Sequence, residues 1–176
     1  NVFGIDGNLT TTAFVDGANY STRGQEDTMT TEYFDLTFNG TAELTFDVAK
    51  AQWSATYNDG LRVEISIDCG ATYTQVYFKD GLDLATVPYI NAAWAPSSVG
   101  DWRTEIIDLT PYVGENILVK ITNINDYSNS TFIDNITLTK TLSVVENALD
   151  KAVAMYPNPA KSSVDVVINT TVGNTY

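Results

Sequence analysis

The 176-residue chain contains no histidine, a single cysteine and nine basic side chains against 22 acidic ones. Without histidine it lacks the commonest general base, the Ser-His and Cys-His nucleophile pairs, and most zinc and copper sites. Cys69 has no second cysteine to pair with, so an intrachain disulfide is excluded. With no imidazole to activate it, that thiol reads as incidental rather than nucleophilic. No apolar run approaches the roughly 20 residues of a membrane span. The formal net charge of −13 repels phosphate backbones and anionic lipid, which argues against nucleic acid and against membrane insertion. An acidic surface suits solubility in an external medium, and it suits Ca²⁺. The first residues, Asn-Val-Phe-Gly-Ile-Asp, carry neither methionine nor signal peptide, as expected of a processed product or a piece of a longer chain.

What is present is punctuation and alternation. Turn signals recur at Asp6, Asp16, Phe38, Tyr57, Lys79 and Val113. Between them, Leu44, Phe46 and Val48 alternate with Thr45 and Asp47, and Leu61, Val63, Ile65 and Ile67 alternate with Arg62, Glu64, Ser66 and Asp68. The stretches NILVKITNI and STFIDNITLTK repeat the pattern. Period-two alternation describes strands with one face in a core and one in water. No stretch before residue 140 has a capped helical period. The expectation is an all-β fold: an antiparallel sandwich or jelly roll of roughly eight or more strands over residues 1–140. Its core should take Leu44, Phe46, Val63, Ile65, Ile67, Val119, Ile121, Phe132 and Ile136. Residues 141–153 read as a linker, and 154–176 as the start of a second, small sandwich.

Two acidic positions raise chemical questions. Ser66, Asp68, Gly70, Thr72 and Tyr73 fit Ser-x-Asp-x-Gly-x-Thr-aromatic, which resembles the Asp-box hairpin of sialidases and many secreted β proteins. Asp68 then either serves a ligand or clasps the turn by accepting backbone N–H bonds, with Gly70 free to take a positive φ. Experience with that motif favours the clasp. Asp134 shares strand parity with Phe132, Ile136 and Leu138 and would face the core, where an unpaired carboxylate is very costly. It needs a cation or a set of donors. Oxygen-bearing residues are plentiful (Asn125, Asp126, Asn129, Asn135, Glu26 and Asp27), the ligand chemistry that Ca²⁺ selects.

Four stretches in order, EDTMTTEYFDLTFNGTAELTFDVA, DGLRVEISIDCGATYTQVYFKDG, DWRTEIIDLTPYVGENILVKITNIN and FIDNITL, resemble the MAM-like or cleaved-adhesin-like jelly-roll domain of secreted bacterial proteins. The resemblance implies a non-catalytic accessory or adhesion domain, carried behind a catalytic domain such as a metallopeptidase. It also implies structural Ca²⁺ at the aspartate of the last strand, here Asp134, with Asp27 as partner and Asp6 and Asp16 as further candidates. Near the C-terminus, Tyr156, Pro157, Asn158 and Pro159 precede an alternating Val164, Val166 and Ile168. That pattern is similar to the start of a type A sorting domain of the type IX secretion system, and implies export through the periplasm to the cell surface or medium. Asp27, Thr28 and Met29 match the O-glycosylation tripeptide of bacteria with that system, making Thr28 a candidate acceptor.

These readings yield a non-catalytic adhesion or accessory domain with a polysaccharide or protein ligand. The alternative is a carbohydrate-binding module, in which some of Trp53, Tyr57, Tyr73, Tyr77, Tyr89 and Trp94 stack on sugar rings from one sandwich face, while Trp102 belongs to the core. A glycosidase with two catalytic carboxylates is the third and weakest reading.

Overall fold

The computed structural model describes residues 1–20 and 22–143, with the backbone of 153–156 and 165–168. The chain divides into two compact units, 1–142 and 143–176. In the first, antiparallel strands form two facing sheets, as the alternation predicts. One sheet has the order β4 (Glu26–Thr30), β10 (Asn116–Ile124), β7 (Gly60–Ser66), β8 (Thr74–Asp80), with β5 (Phe34–Asp35) also on β10. The other runs β3 (Ala13–Val15), β11 (Thr131–Leu142), β6 (Gly40–Lys50), β9 (Arg103–Asp108). A short hairpin of β1 (Val2–Phe3) and β2 (Leu9–Thr10) precedes them.

The core lies between the sheets, where Leu44, Phe46 and Val48 of β6 meet Leu61, Val63 and Ile65 of β7 and Ile117, Val119 and Ile121 of β10. A second cluster covers the opposite face of the β6–β11 sheet. There Ala49, Phe132 and Trp102 pack with Val2, Ile5 and Trp94. The Trp102 indole donates to Phe3 O at 2.7 Å and pins the N-terminal segment onto this outer face.

Three sequence expectations need correction. Ile67 is 54% exposed, because β7 ends at Ser66 and the hairpin turn carries the chain away from the core. Ile136 is 37% exposed, and Asp134 does not face the core. The cause of the latter two is a register shift between Asp134 and Thr137, with Asn135 at φ 51 in the left-handed region. One extra residue reverses strand parity. Ile133 points inward before the bulge and Leu138 after it, while Phe132 is buried on the outer face instead of in the main core.

At one end of the interior sits an ion pair. Lys50, the last residue of β6, and Asp59, just before β7, are each 2% exposed. The Lys50 ammonium donates to Asp59 Oδ2 and to the backbone carbonyl of Asn129. Asp59 Oδ1 accepts from Asp126 N at 2.5 Å and Ser128 N at 3.2 Å. The pair therefore ties the end of β6 to the 125–131 segment. Burial draws the Lys50 ammonium below its ordinary pKa, and the Asp59 charge and hydrogen bond oppose that shift. Gly17 lies against the same centre, where a Cβ would collide with the Asn129 carbonyl.

In the second unit, β12 (Val153–Tyr156) pairs antiparallel with β13 (Asp165–Ile168). Of the second sandwich expected there, only this ribbon falls among the described residues. Pro157, Asn158 and Pro159 lie outside them.

Removing one partner of a buried ion pair leaves the other charge uncompensated. Lys50→Met should therefore lower stability by about 3–5 kcal/mol, read by urea or thermal unfolding of the full chain. An unchanged midpoint would show that the pair does not hold this end of the sandwich together.

Candidate functional site

The ion pair positions more than its own strands. Asn129, fully buried and held by Lys50 through its carbonyl, uses its side chain to fix the loop that follows residue 89. Its amide Nδ2 donates to Ile90 O at 3.1 Å and Ala92 O at 2.8 Å, and its Oδ1 accepts from Trp94 N at 3.3 Å and Ser130 N at 2.9 Å. One asparagine thus satisfies four backbone groups and sets Trp94 beside β11.

Trp94, Phe132 and Phe14 form an aromatic wall. Phe14 and Phe132 are cross-strand partners on β3 and β11, with ring centroids 4.9 Å apart and planes tilted by 35°. Trp94 meets Phe132 edge-on at 6.0 Å. Phe14 remains 53% exposed, so the wall presents a ring to solvent. A cleft of about 550 Å³ runs along it, bordered also by Asp16, Asn19 and Thr12. The polar side is ordered: Asp16 Oδ2 accepts from Asn19 Nδ2 at 2.7 Å, and Asp16 Oδ1 from the Ser130 hydroxyl at 3.4 Å. An exposed aromatic face flanked by carboxylate, amide and hydroxyl groups can stack on an apolar ring face while hydrogen-bonding its substituents.

Of the aromatics considered from sequence, Trp94 alone lines this cleft. Tyr57 pairs with Tyr127 at 5.5 Å and lies under Arg23, Tyr73 lies under Lys120 with the ammonium 3.9 Å from its centroid, and Tyr77 packs edge-on against Phe46. Trp102 is buried, in the second cluster. Phe14 and Asn19 were missed; the only local signal was the Asp-Gly turn at Asp16.

The structure separates Asp134 from Asp27. Asp134 lies on the outer face of the β6–β11 sheet, opposite Asp47. Two like charges directly opposite would repel, and donors answer all four oxygens. Asp134 accepts from the Thr10 hydroxyl (2.8 Å) and Asn135 N (2.8 Å); Asp47 accepts from the Thr104 hydroxyl and Asn135 Nδ2 (2.8 Å). A cation at Asp134 would have to displace some of these donors. Asp27 belongs to the other sheet, where it is paired with Asn123 and accepts from the Tyr20 hydroxyl at 3.0 Å. Asp6, in the N-terminal hairpin, holds Asn8 N at 2.9 Å. Among the described residues no three His, Cys, Asp or Glu side chains cluster as a metal site. Thr28 is exposed on edge strand β4, within 3.1 Å of the Thr122 hydroxyl.

The Asp68 hairpin is a turn clasp. Asp68 Oδ1 accepts from the Ser66 hydroxyl at 2.7 Å and Thr72 N at 2.9 Å, while Ser66 Oγ accepts from Gly70 N at 2.9 Å. The Thr72 donors, hydroxyl first, then backbone N–H, hold the Asp68 carboxyl down at about 2. Cys69, exposed, occupies the turn at φ 63.

Comparison with protein-family models and with curated proteins returned no match. Among solved structures, the chain is similar to the K3 cleaved adhesin domain of Lys-gingipain from Porphyromonas gingivalis W83, at 13% identity and a TM-score of 0.50, covering 74% of this chain and 72% of that one. At that identity the likeness establishes a shared β-sandwich fold. Weaker likenesses link it to a family 61 carbohydrate-binding module in complex with β-1,4-galactotriose (10% identity, TM-score 0.39, covering 74% and 82% of the two chains). A module specific for non-crystalline cellulose compares similarly (13% identity, TM-score 0.41, covering 74% of each). Among the described residues no helix is long and apolar enough to cross a membrane.

Proposed function

We propose that the 1–142 unit is a non-catalytic adhesion or accessory domain of a secreted or surface protein, and that it binds polysaccharide through the cleft at Phe14, Trp94 and Phe132. The observation that carries this reading is the exposed Phe14 ring set in an aromatic wall beside the Asp16–Asn19 polar pair. A cleft with one ring face and ordered hydrogen-bonding groups suits a chain of sugars. Phe14→Ala and Trp94→Ala should each weaken polysaccharide retention in affinity electrophoresis by about tenfold, the worth of one aromatic contact of roughly 1–1.5 kcal/mol. Unaltered mobility of both variants across plant, algal and microbial polysaccharides that retain the parent would refute the cleft.

Calcium at Asp134 is a proposal resting on the adhesin resemblance and on the oxygen-rich neighbourhood of Thr10, Asp47 and Asn135. It requires a higher melting temperature in excess CaCl2 than in EDTA, by linkage, at the roughly 10⁻⁴ to 10⁻³ M affinities of extracellular modules. Asp134→Asn should remove most of the increment. Equal melting with and without the ion would leave the hydrogen-bonded carboxylate pair as the whole account.

For the second unit we propose an export address read by the type IX machinery. Its support is the division of the chain near residue 142 and a ribbon whose first strand ends on Tyr156, the first residue of the motif. A signal read by a receptor must be separable, so removing residues 154–176 should leave the melting of the remainder unchanged. In the intact host protein, loss of the whole C-terminal signal should trap it in the periplasm. Normal appearance outside the cell without that signal would overturn the address.

A further inference from the structure

The Phe14–Trp94 cleft carries a charge with no counter-charge beside it. Among the described residues that line it, Asp16 has the only ionisable side chain. Elsewhere in the domain buried and half-buried acids are answered: Glu26, Asp59, Glu64, Glu105 and Asp126 each meet a lysine or arginine nitrogen at 2.5–3.3 Å. Asp16 has no such partner among the described residues. Its two side-chain hydrogen bonds come from neutral groups, the Asn19 amide and the Ser130 hydroxyl, and neither cancels the charge.

The carboxylate is held in place from both sides. Residues Gly17–Asn19 form a single 3₁₀ turn, in which Asn19 N donates to Asp16 O at 3.2 Å and Tyr20 N to Gly17 O at 3.3 Å. Gly17, the buried first residue of that turn, lies against the Asn129 carbonyl and Asp59. Ser130, on the other side, is itself buried. The position of Asp16 therefore rests on the same interior centre that sets Trp94, two residues along the chain from the exposed Phe14 ring.

A carboxylate offers about four acceptor sites on its two oxygens, and two donors leave room for more. A sugar hydroxyl fills that room by donating. A uronate or a sulfate ester cannot: it has no proton to give, and it brings a second negative charge up to the first. At about 4 Å such a repulsion is worth on the order of tenfold in binding even where water keeps the dielectric high. No lysine or arginine side chain lines the cleft to offset it.

Resting on the reading of this cleft as a polysaccharide site, we infer that Asp16 sets its class of substrate: it admits glycans of neutral, hydroxyl-bearing residues and rejects those that carry uronate or sulfate. The aromatic wall supplies affinity, and Asp16 supplies the choice. The test is isothermal titration calorimetry of the full chain in buffered saline with EDTA, which removes calcium that could bridge two carboxylates. The probes are hydroxyethylcellulose, mannan and galactan, against carboxymethylcellulose, polymannuronate and polygalacturonate. The neutral polymers should bind at least about tenfold more tightly than the acidic ones, and Asp16→Asn should narrow that preference by about tenfold. If Asp16→Asn does not fold, Asp16→Ser answers in its place. Glu115→Gln removes the same charge from an exposed position at the opposite end of β10 from Asn129 and Ser130, and should narrow nothing. Equal binding of both classes by the parent overturns the inference and leaves the polysaccharide reading standing. So does a preference that survives the loss of the Asp16 charge, or one that Glu115→Gln narrows equally, since overall charge is then its cause. Binding of neither class removes the polysaccharide reading, and the inference with it.

Discussion

The Lys50 ammonium inside the sandwich is the constraint on which much else rests. Two charges taken out of water cost more than they return unless their remaining hydrogen-bonding capacity is met. Here it is met by main chain: the Asn129 carbonyl for the lysine, the Asp126 and Ser128 amides for Asp59. The arrangement tolerates one conformation of residues 125–131, because a shift of that segment would strand both charges. Asn129 passes this fixity on through its side chain to the loop at 90–94, and so to Trp94. The cleft wall is therefore held by a chain of contacts that begins in the interior. A ligand would find its aromatic groups already placed, with little ordering left to do on binding.

The bulge at Asn135 organises the same sheet a few residues farther along β11. It reverses parity in β11, keeps both Ile133 and Leu138 in the core, and puts Asp134 on the outer face. The residue that makes the bend also supplies the bonds that tolerate it, since Asn135 donates to Asp134 from its backbone and to Asp47 from its side chain. Asparagine suits this double task, because it takes left-handed φ more readily than most residues.

How much of this was legible follows from the range of each interaction. β6, β7 and β10 were plain, because their alternation is local and uninterrupted, and the Asp68 clasp spans only residues 66–72. The bulge was not, since nothing in FIDNITL distinguishes a continuous strand from one with an extra residue. Nothing local in TFDVAK marks Lys50 for burial, which depends on Asn129, distant in sequence. The Phe14–Phe132 pair joins segments far apart in the chain, and alternation says which face a residue takes but not what it meets there. Asp27 was singled out through the adhesin resemblance as a partner of Asp134, and the structure pairs it with Asn123 and Tyr20 instead.

The burial of Lys50 also sets how the fold should respond to ionic strength. Nine basic side chains against 22 acidic ones leave the surface repelling itself, and one of the nine is withdrawn into the interior. Dissolved salt at physiological strength screens exposed charges beyond about 8 Å and reaches buried pairs far less. Added salt thus relieves the repulsion among surface carboxylates while leaving the central attraction in place.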